Sequence, residues 1–316
     1  MFWNDVFVKK GVVLGLSPMD GVTDVAFRFM VAKYGHPDVE FSEFVSVDAL
    51  HYAEGERRER VLQILQRVKR KGVYEVAQVF GRTPEFFSEA AKLVEEIGFD
   101  GIDINMGCPA HNVSEQGAGA GLIRTPKVAQ EIIRTVMGAT KIPVSVKTRI
   151  GVADKAEMDE WIAALMEVKP AVISLHGRTL KQLYQGEADW EMIGRAAEIV
   201  HKAGGKILGN GDIDSREMAQ KVSDEYGVDG VLIGRAAEGN PAVFAGVSQP
   251  TKEQRLAWMV EHARKYEELL GTDWFMPMRK HLAWYAHGFP GAVELRTKLM
   301  ATNSADEVEK VILSYS

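Results

Sequence analysis

The chain has 316 residues, of which 46% are hydrophobic and 26% are charged, ordinary values for a globular protein. Its single cysteine, Cys108, excludes an intramolecular disulfide and a cysteine-based structural zinc site, and makes a reducing, cytoplasmic setting the default expectation. No apolar run approaches the roughly 18 residues of a membrane-spanning helix, and the start of the chain lacks the pattern of a signal peptide, so we expect no membrane partner.

The formal net charge of -6 disfavours a uniformly basic surface of the kind that binds nucleic acid. Local patches are still possible. Residues 54–71 carry seven basic and three acidic side chains, which are typical of a solvated helix face and are compatible with RNA.

Apolar segments recur along the chain and predict β-strands at residues 12–16, 39–45, 74–79, 101–104, 144–147, 172–175, 206–208 and 230–233. Helical patterns lie between several of them, most clearly at residues 83–98, where Thr83 is a candidate N-cap, Pro84 suits the first turn and Gly98 ends the helix. Eight β/α units in about 240 residues predict a (β/α)8 TIM barrel over residues 1–246. A doubly wound sheet shares this alternation, but no G-x-G-x-x-G motif follows the first strand.

The pattern changes after residue 245, where no further strand is predicted. Thr251 and Gln254 form a capping box that predicts a helix ending at Gly271, and further helices are expected at residues 278–287, 290–300 and 304–314. The fold class is therefore α/β, a TIM barrel followed by a small all-helical domain over residues 250–316.

Polar or reactive residues follow nearly every predicted strand, at the end where barrels place their active sites. They are Ser17-Pro18-Met19, Glu43, Gln78, Asn105 with Cys108, Lys147, His176, Asn210-Gly211-Asp212 and Gly234-Arg235. One such residue could be an ordinary loop residue. Their repetition predicts a single functional site at this end of the barrel.

Each of these residues has a chemical interpretation. The glycines after strands seven and eight, with Arg235, favour phosphate binding, because glycine lets backbone N–H groups approach and arginine adds a bidentate donor. Lys147 is compatible with three roles: a Schiff-base nucleophile, a surface charge, or a partner for a developing anion. His176 is a core residue, a metal ligand or a catalytic group, and we expect no metal because no second ligand has suitable spacing.

Cys108 is a lone cysteine, and such residues are more often small buried hydrophobes than catalysts. Its position between Gly107 and Pro109, just past the fourth strand, favours a loop at the active face. A thiol there could donate a proton near neutral pH. The glycines of residues 117–121 predict a tight turn packed below this loop.

Seven segments resemble the signature segments of tRNA-dihydrouridine synthases, and the last of them is similar to the bacterial branch called DusB. They are SPMDGVTD (17–24), DINMGCP (103–109), VKTRIG (146–151), HGRTLKQLYQGEADW (176–190), GNGDI (209–213), IGRAAEGNP (233–241) and MRKHLAWYAHGFPGAVELR (278–296). The resemblance extends over nearly the whole chain. Ser17 stands where alanine is frequent and Gly121 interrupts a usual Ala-Ala pair, and neither departure touches the implied chemistry.

The resemblance implies an FMN-dependent enzyme that reduces a uridine of tRNA to 5,6-dihydrouridine, with NADPH as a transient reductant and Cys108 as the proton donor. The implied FMN contacts are Pro18, Met19, Asp20, Gln78, Lys147 and His176, with Asn210, Gly211, Asp212, Gly234 and Arg235 around the phosphate. The expected tRNA contacts are Asn105, Arg178, Lys181, Arg279, Lys280 and Arg296, joined by His281 and Lys298. We expect a monomer.

Two other functions fit the same sequence. One is an FMN-dependent reductase of free pyrimidines or enones, similar to dihydroorotate dehydrogenases. The other is a non-catalytic tRNA-binding protein that keeps flavin only as a structural group.

Overall fold

The computed structural model describes residues 2–9 and 11–315, in which eight parallel strands close into a barrel in chain order. The strands are β1 Val13–Leu16, β2 Val39–Ser46, β3 Tyr74–Phe80, β4 Gly101–Met106, β5 Val144–Arg149, β6 Val172–His176, β7 Ile207–Asn210 and β8 Gly230–Ile233. This confirms the predicted TIM barrel. β4 and β5 each extend two residues beyond prediction, so Asn105 lies within a strand and Lys147 no longer ends one.

Helices alternate with the strands through the barrel and then continue to the C-terminal end of the described chain. They are α1 Phe2–Phe7, α2 Val25–Tyr34, α3 Val47–Tyr52, α4 Gly55–Ile64, α5 Pro84–Ile97, α6 His111–Ser114, α7 Pro126–Ala139, α8 Met158–Met166, α9 Trp190–Lys202, α10 Arg216–Tyr226, α11 Lys252–Leu270, α12 Met278–Tyr285, α13 Ala292–Leu299 and α14 Ala305–Tyr315. None of these described helices is long and apolar enough to cross a membrane.

The ends of α5 follow from local chemistry. Pro84 occupies the first turn, and Gly98 ends the helix at φ 93°, a left-handed conformation that glycine adopts without a Cβ penalty. Thr83 stands at the N-cap as predicted, but its side chain makes no capping hydrogen bond. Phe87, Ala90, Ala91 and Val94 bury the inner face of α5.

The N-terminal helix α1 packs against the end of the barrel opposite the polar strand ends, and the sequence did not predict it. Phe2, Trp3 and Val6 of α1 pack with the lowest layer of the barrel interior, which includes Phe41 and Leu208. Their burial removes apolar surface from water at this end. The end of the barrel that carries the polar residues is not covered by α1 and can take a ligand.

The four C-terminal helices α11 to α14 share an apolar core with α2. Met259, Leu282 and Leu295 lie in this core together with Ala26 and Met30 of α2. The capping box of Thr251 and Gln254 begins α11 as predicted. The C-terminal helices therefore pack against α2, the helix that follows β1 and its loop.

Candidate functional site

A cavity of about 1700 Å³ opens where the carboxyl ends of the strands meet. Its wall includes Ser17, Pro18, Met19, Asp20, Asn105, Cys108, Lys147, Arg149, His176, Lys181, Tyr184, Asn210, Gly211, Asp212, Gly234 and Arg235. The structure thus brings together the residues that the sequence placed at separate strand ends, apart from Gln78 and Glu43.

Cys108 lies in a loop that is held from three sides. The side-chain Oδ1 of Asn105 accepts hydrogen bonds from the backbone N–H groups of Gly107 (3.0 Å) and Cys108 (2.8 Å). Arg149 Nε donates to the carbonyl of Gly107 at 2.8 Å, and the Cys108 carbonyl accepts from Ala120 N–H at 3.1 Å. These bonds fix the position of the thiol relative to the barrel.

The glycine-rich segment packs below this loop, as the sequence predicted. Gly119 adopts φ +54°, and an added Cβ would lie 3.1 Å from Cβ of Cys108. A larger residue would therefore push the loop into the cavity.

Cys108 is 9% exposed and lines the cavity. Burial is the main cause that raises its pKa above the ordinary value, with the nearby Asp20 carboxylate adding to the rise, although a hydrogen bond from Ala110 N–H opposes it. A raised pKa keeps the thiol protonated at neutral pH. The group is therefore suited to act as an acid rather than as a nucleophile.

Beneath the cavity lies a buried polar network around Gln78. Its Nε2 donates to Asp103 (2.7 Å), and its Oε1 accepts from Asn105 Nδ2 (2.9 Å). Ser145 donates to the other oxygen of Asp103 at 2.6 Å, yet burial still raises the pKa of Asp103 to about 6. Gln78 has no exposed surface and is not part of the cavity wall, so its contact with flavin stays a prediction.

Lys147 reaches the cavity from β5. Its Nζ donates to Asn210 Oδ1 at 3.0 Å, and the Asn210 amide donates in turn to the carbonyl of Leu232 at 3.0 Å. Burial, with the positive charge of Arg149 adding to it, lowers the pKa of Lys147 to about 8. The Lys147 ammonium is thus held at a defined point, and its positive charge is poorly compensated. It is therefore suited to binding an anion.

The loops after β7 and β8 form a second part of the wall. Gly211 has φ 131°, and an added Cβ there would come within 2.4 Å of Ala188 Cβ, so the backbone conformation requires glycine. An added Cβ on Gly234 would lie 3.3 Å from Met19 Sδ. Within the described residues, the backbone N–H groups of Gly211, Asp212, Gly234 and Arg235 have no hydrogen-bond acceptor, so they are free to bind an anion.

Asp212 links two arginines at this place. Its carboxylate accepts from Arg235 at 2.8 Å and from Arg178 at 2.6 Å, and these partners keep the pKa of Asp212 low despite partial burial. An ionised carboxylate repels phosphate, so Asp212 can serve phosphate only through its backbone N–H and by orienting Arg235.

Arg178 does not lie where tRNA could reach it, and its predicted role as a tRNA contact is wrong. Its side chain is 2% exposed. The guanidinium bonds to Asp212 and to the carbonyls of Gln185 (3.3 Å) and Gly186 (2.5 Å). His281 is also wrong as a phosphate contact, because it is buried 3.6 Å from the Asp24 carboxylate.

The other expected tRNA contacts differ in how free their charges are. Lys181 is exposed at the cavity mouth, and Arg296 is partly exposed on α13. Arg279 is partly committed, because it donates to the Thr302 carbonyl at 2.9 Å and to Asn303 Oδ1 at 2.6 Å. Three expected contacts remain. Lys280 lies beside the Asp20-Gly21 turn, and Lys298 is 3.2 Å from Glu294. Asn105 lines the cavity but is 6% exposed, and its amide is bonded to Gln78 and to the Cys108 loop.

Two residues of the mouth were missed. Arg149 donates from its guanidinium to the carbonyls of Thr179 (3.1 Å) and Leu183 (2.8 Å) and lies over the ring of Tyr184 at 5.6 Å. Tyr184 is 61% exposed and lines the cavity. The signal for Arg149 was its place at the end of β5, whereas Tyr184 reaches the mouth only through the path of the loop after β6.

Comparison with known proteins gives one consistent family. The family model "Dihydrouridine synthase (Dus)" matches residues 15–314. The chain is 34% identical to "Probable tRNA-dihydrouridine synthase 1" of Synechocystis sp., over 92% of this chain and 82% of the relative. It is 35% identical to "Probable tRNA-dihydrouridine synthase 2" of Bacillus subtilis, over 94% and 92%, and 36% identical to a Staphylococcus aureus "Probable tRNA-dihydrouridine synthase", over 94% and 91%.

Among solved structures, the chain is similar to histamine dehydrogenase from Rhizobium sp. 4-9, with a TM-score of 0.56 and 13% identity. The match covers 84% of this chain and 51% of that one. At this identity the likeness shows the barrel fold alone.

Proposed function

This chain belongs to the dihydrouridine synthase family, and from that premise we propose that it reduces one uridine of tRNA to 5,6-dihydrouridine, with FMN bound in the barrel mouth and NADPH as the transient reductant. The observation that carries the proposal is the Cys108 thiol, which is held rigidly and protonated on the wall of the large cavity. A protonated thiol at this place supplies the acid that the reduction requires.

The wall residues fit FMN. The free N–H groups of Gly211, Asp212, Gly234 and Arg235 would hold its phosphate, with Arg235 adding positive charge. Pro18, Met19, Asp20, Lys147 and His176 line the cavity and would contact the ring, and Asn210, which lines it too, would lie near the phosphate. At about 1700 Å³ the cavity exceeds the roughly 300–1,000 Å³ of usual small-molecule sites, which leaves space for a base beside the ring.

FMN held by these residues would supply the hydride that reduces uracil at C6, with NADPH as the source of its electrons. Cys108 then gives its proton to C5, and the two additions together convert the C5=C6 double bond into a single bond. The thiolate left on Cys108 regains a proton from solvent. Asn105 and Arg149 hold the backbone before the sulfur, and the N–H of Ala120 holds the Cys108 carbonyl after it, so the thiol stays in place throughout.

The ammonium of Lys147 would donate a charge-assisted hydrogen bond to the bound ring and would stabilise the negative charge of the reduced ring, so FMN affinity should depend on the charge of Lys147. Because the pKa of Lys147 is about 8 in the protein without ligand, the affinity of the apoprotein for FMN should weaken as the pH rises through about 8. A Lys147→Met variant should bind FMN at least about tenfold more weakly at pH 7, where a lost charge-assisted bond costs ~1.5–3 kcal/mol, and should show no such dependence. Fluorescence titration of FMN from about pH 6.5 to 9.5 measures both. A wild-type affinity that stays constant across this range would contradict the assignment.

We propose that Lys181 and Arg296 contact tRNA phosphates from the barrel mouth and from α13, with a monomer binding one tRNA. Each phosphate contact releases counterions, so the logarithm of affinity should fall linearly with the logarithm of salt concentration. Lys181→Gln should reduce the slope by about 1. Glu191→Gln, which removes an exposed charge from α9, is the matched control and should leave the slope unchanged. A flat salt response in the wild type would remove phosphate contact as the main contribution to binding.

The decisive experiment maps dihydrouridine in tRNA after incubation with purified protein, FMN and NADPH. We expect one modified position in tRNA and no reduction of free uracil or orotate. Reduction of the free pyrimidines alone would favour the small-molecule reductase. A Cys108→Ala variant with full biological effect would favour the non-catalytic tRNA-binding protein.

A further inference from the structure

Arg178 is buried between the cavity, the loop after β6 and the loop after β7. Its Nε and one terminal nitrogen bond to the carbonyls of Gln185 and Gly186 and to Asp212, as described above. The other terminal nitrogen lies 3.2 Å from Nε2 of His176. The guanidinium is therefore fixed in orientation, with one N–H directed at the imidazole.

This contact determines which imidazole nitrogen carries the proton. An arginine side chain has N–H donors and no acceptor, and it stays protonated in proteins. His176 Nε2 must therefore accept, so a neutral His176 carries its proton on Nδ1. The Cδ2–Nε2 edge of the ring also faces Gly211, whose added Cβ would lie 3.2 Å from Cδ2. In the described part of the chain Nδ1 has no hydrogen-bond partner and is not among the buried unpartnered atoms. Because His176 lines the cavity, its Nδ1 edge is turned toward that space.

The surroundings oppose a second proton on the ring. Burial, followed by the positive charges of Lys147, Arg149, Arg178 and Arg235, lowers the pKa of His176 well below its ordinary value. The carboxylate nearest in the network, Asp212, is already paired with Arg178 and Arg235. The ring is therefore neutral at physiological pH.

We propose that Arg178 is a positioning residue that holds neutral His176 as the Nδ1–H tautomer, so that the cavity receives a hydrogen-bond donor rather than an acceptor. The use of this donor rests on the proposed function. There it would serve a carbonyl oxygen, belonging either to the isoalloxazine ring or to the pyrimidine being reduced, on which negative charge accumulates.

The tautomer can be observed without any activity. In protein labelled with ¹⁵N-histidine, the His176 signals, assigned with a His176→Gln variant, should show a protonated Nδ1 and an unprotonated Nε2 that do not titrate between about pH 6 and 8. An Nε2–H tautomer or an imidazolium in the wild type would overturn the proposal. Because this result needs no substitution at Arg178, it stands even where variants fold poorly.

Substitutions then test the cause. Arg178→Met should give a mixture of both tautomers, and Arg178→Lys, which keeps a charged donor, should restore mainly Nδ1–H. Lys181→Gln, which removes a charge from the same loop, is the control for the tautomer and should leave it unchanged. A folded Arg178→Met protein with the wild-type tautomer would overturn the role of Arg178.

Adding FMN and then tRNA separates the two possible acceptors. A change of the Nδ1 signal with FMN alone assigns the donor to the ring, and a change only after tRNA assigns it to the pyrimidine. No change with either ligand would overturn the proposed use of the donor.

In turnover, Arg178→Met should lower kcat by about 10²-fold with little change in KM for tRNA, whereas a phosphate contact would raise KM. Absence of tRNA reduction in a wild type with the expected tautomer would sink the proposed function and leave the tautomer standing.

Discussion

Replacing Cys108 with alanine should lower the rate of dihydrouridine formation by about 10²–10⁴-fold, the usual range for loss of a general acid. The thiol is a protonated acid fixed on the cavity wall, and alanine removes its proton without enlarging the side chain. Reduction of bound FMN by NADPH should continue, because that half of the reaction does not use the Cys108 proton. Single-turnover kinetics with pre-reduced enzyme measure the two halves separately.

Two further variants make this prediction specific. Cys108→Ser should be almost as slow as the alanine variant, because a hydroxyl is a much weaker acid than a thiol. Gln116→Ala changes an exposed side chain in the same segment and should retain the wild-type rate. Full activity of Cys108→Ala with pre-reduced enzyme would show that the proton comes from another group.

The barrel could be predicted from the sequence because each β/α unit carries its own local signals. The β4 segment begins as a short run of β-forming residues (GIDI), and α5 has a proline start, an apolar face and a glycine end. Such signals need no knowledge of distant contacts. α1 lacked them, since a helix of 6 residues is stabilised by packing against the barrel rather than by its own sequence pattern.

The site was predictable in part, for a related reason. Strand ends of a parallel barrel converge, so Asn105, Lys147 and His176 had to meet. Whether a long cationic side chain reaches solvent depends on tertiary contacts, and here Arg178 turns inward toward Asp212 and two loop carbonyls. The residues around Arg178 in the sequence do not predict this inward direction. Likewise, the residues around Tyr184 do not predict that its ring is exposed at the cavity mouth.

A buried charge network supports the cavity from outside the barrel. Arg28 of α2 is 1% exposed, and its Nε lies 3.7 Å from Glu75 while NH1 donates to the Thr23 carbonyl at 2.7 Å. Thr23 in turn bonds the backbone of Met19, which lines the cavity. Glu40, the neighbour of Glu75 across the two strands, is 2% exposed. Arg28 therefore connects the stability of the barrel to the loop after β1.

Arg28→Met should lower the free energy of unfolding by about 3–5 kcal/mol, because it removes the cation nearest the buried Glu40 and leaves Glu75 paired with Arg67 alone, at 2.9 Å. Burial already raises the pKa of Glu40 well above its ordinary value, and Arg28 opposes that rise. A carboxyl group with a raised folded-state pKa costs stability as the pH rises above its unfolded value. The deficit of the variant should therefore be larger at about pH 8 than at about pH 5.

Urea unfolding of the apoprotein at the two pH values measures both the size and the pH dependence of this loss. The matched control is Arg195→Met, which removes an arginine from an exposed ion pair with Asp159 and should cost less than about 1 kcal/mol. A loss at Arg28 no larger than at Arg195 would mean that Glu40 and Glu75 are satisfied without Arg28. The loop that carries Met19 and Asp20 would then have to be held by its own turn, rather than by the ionic network behind β2 and β3.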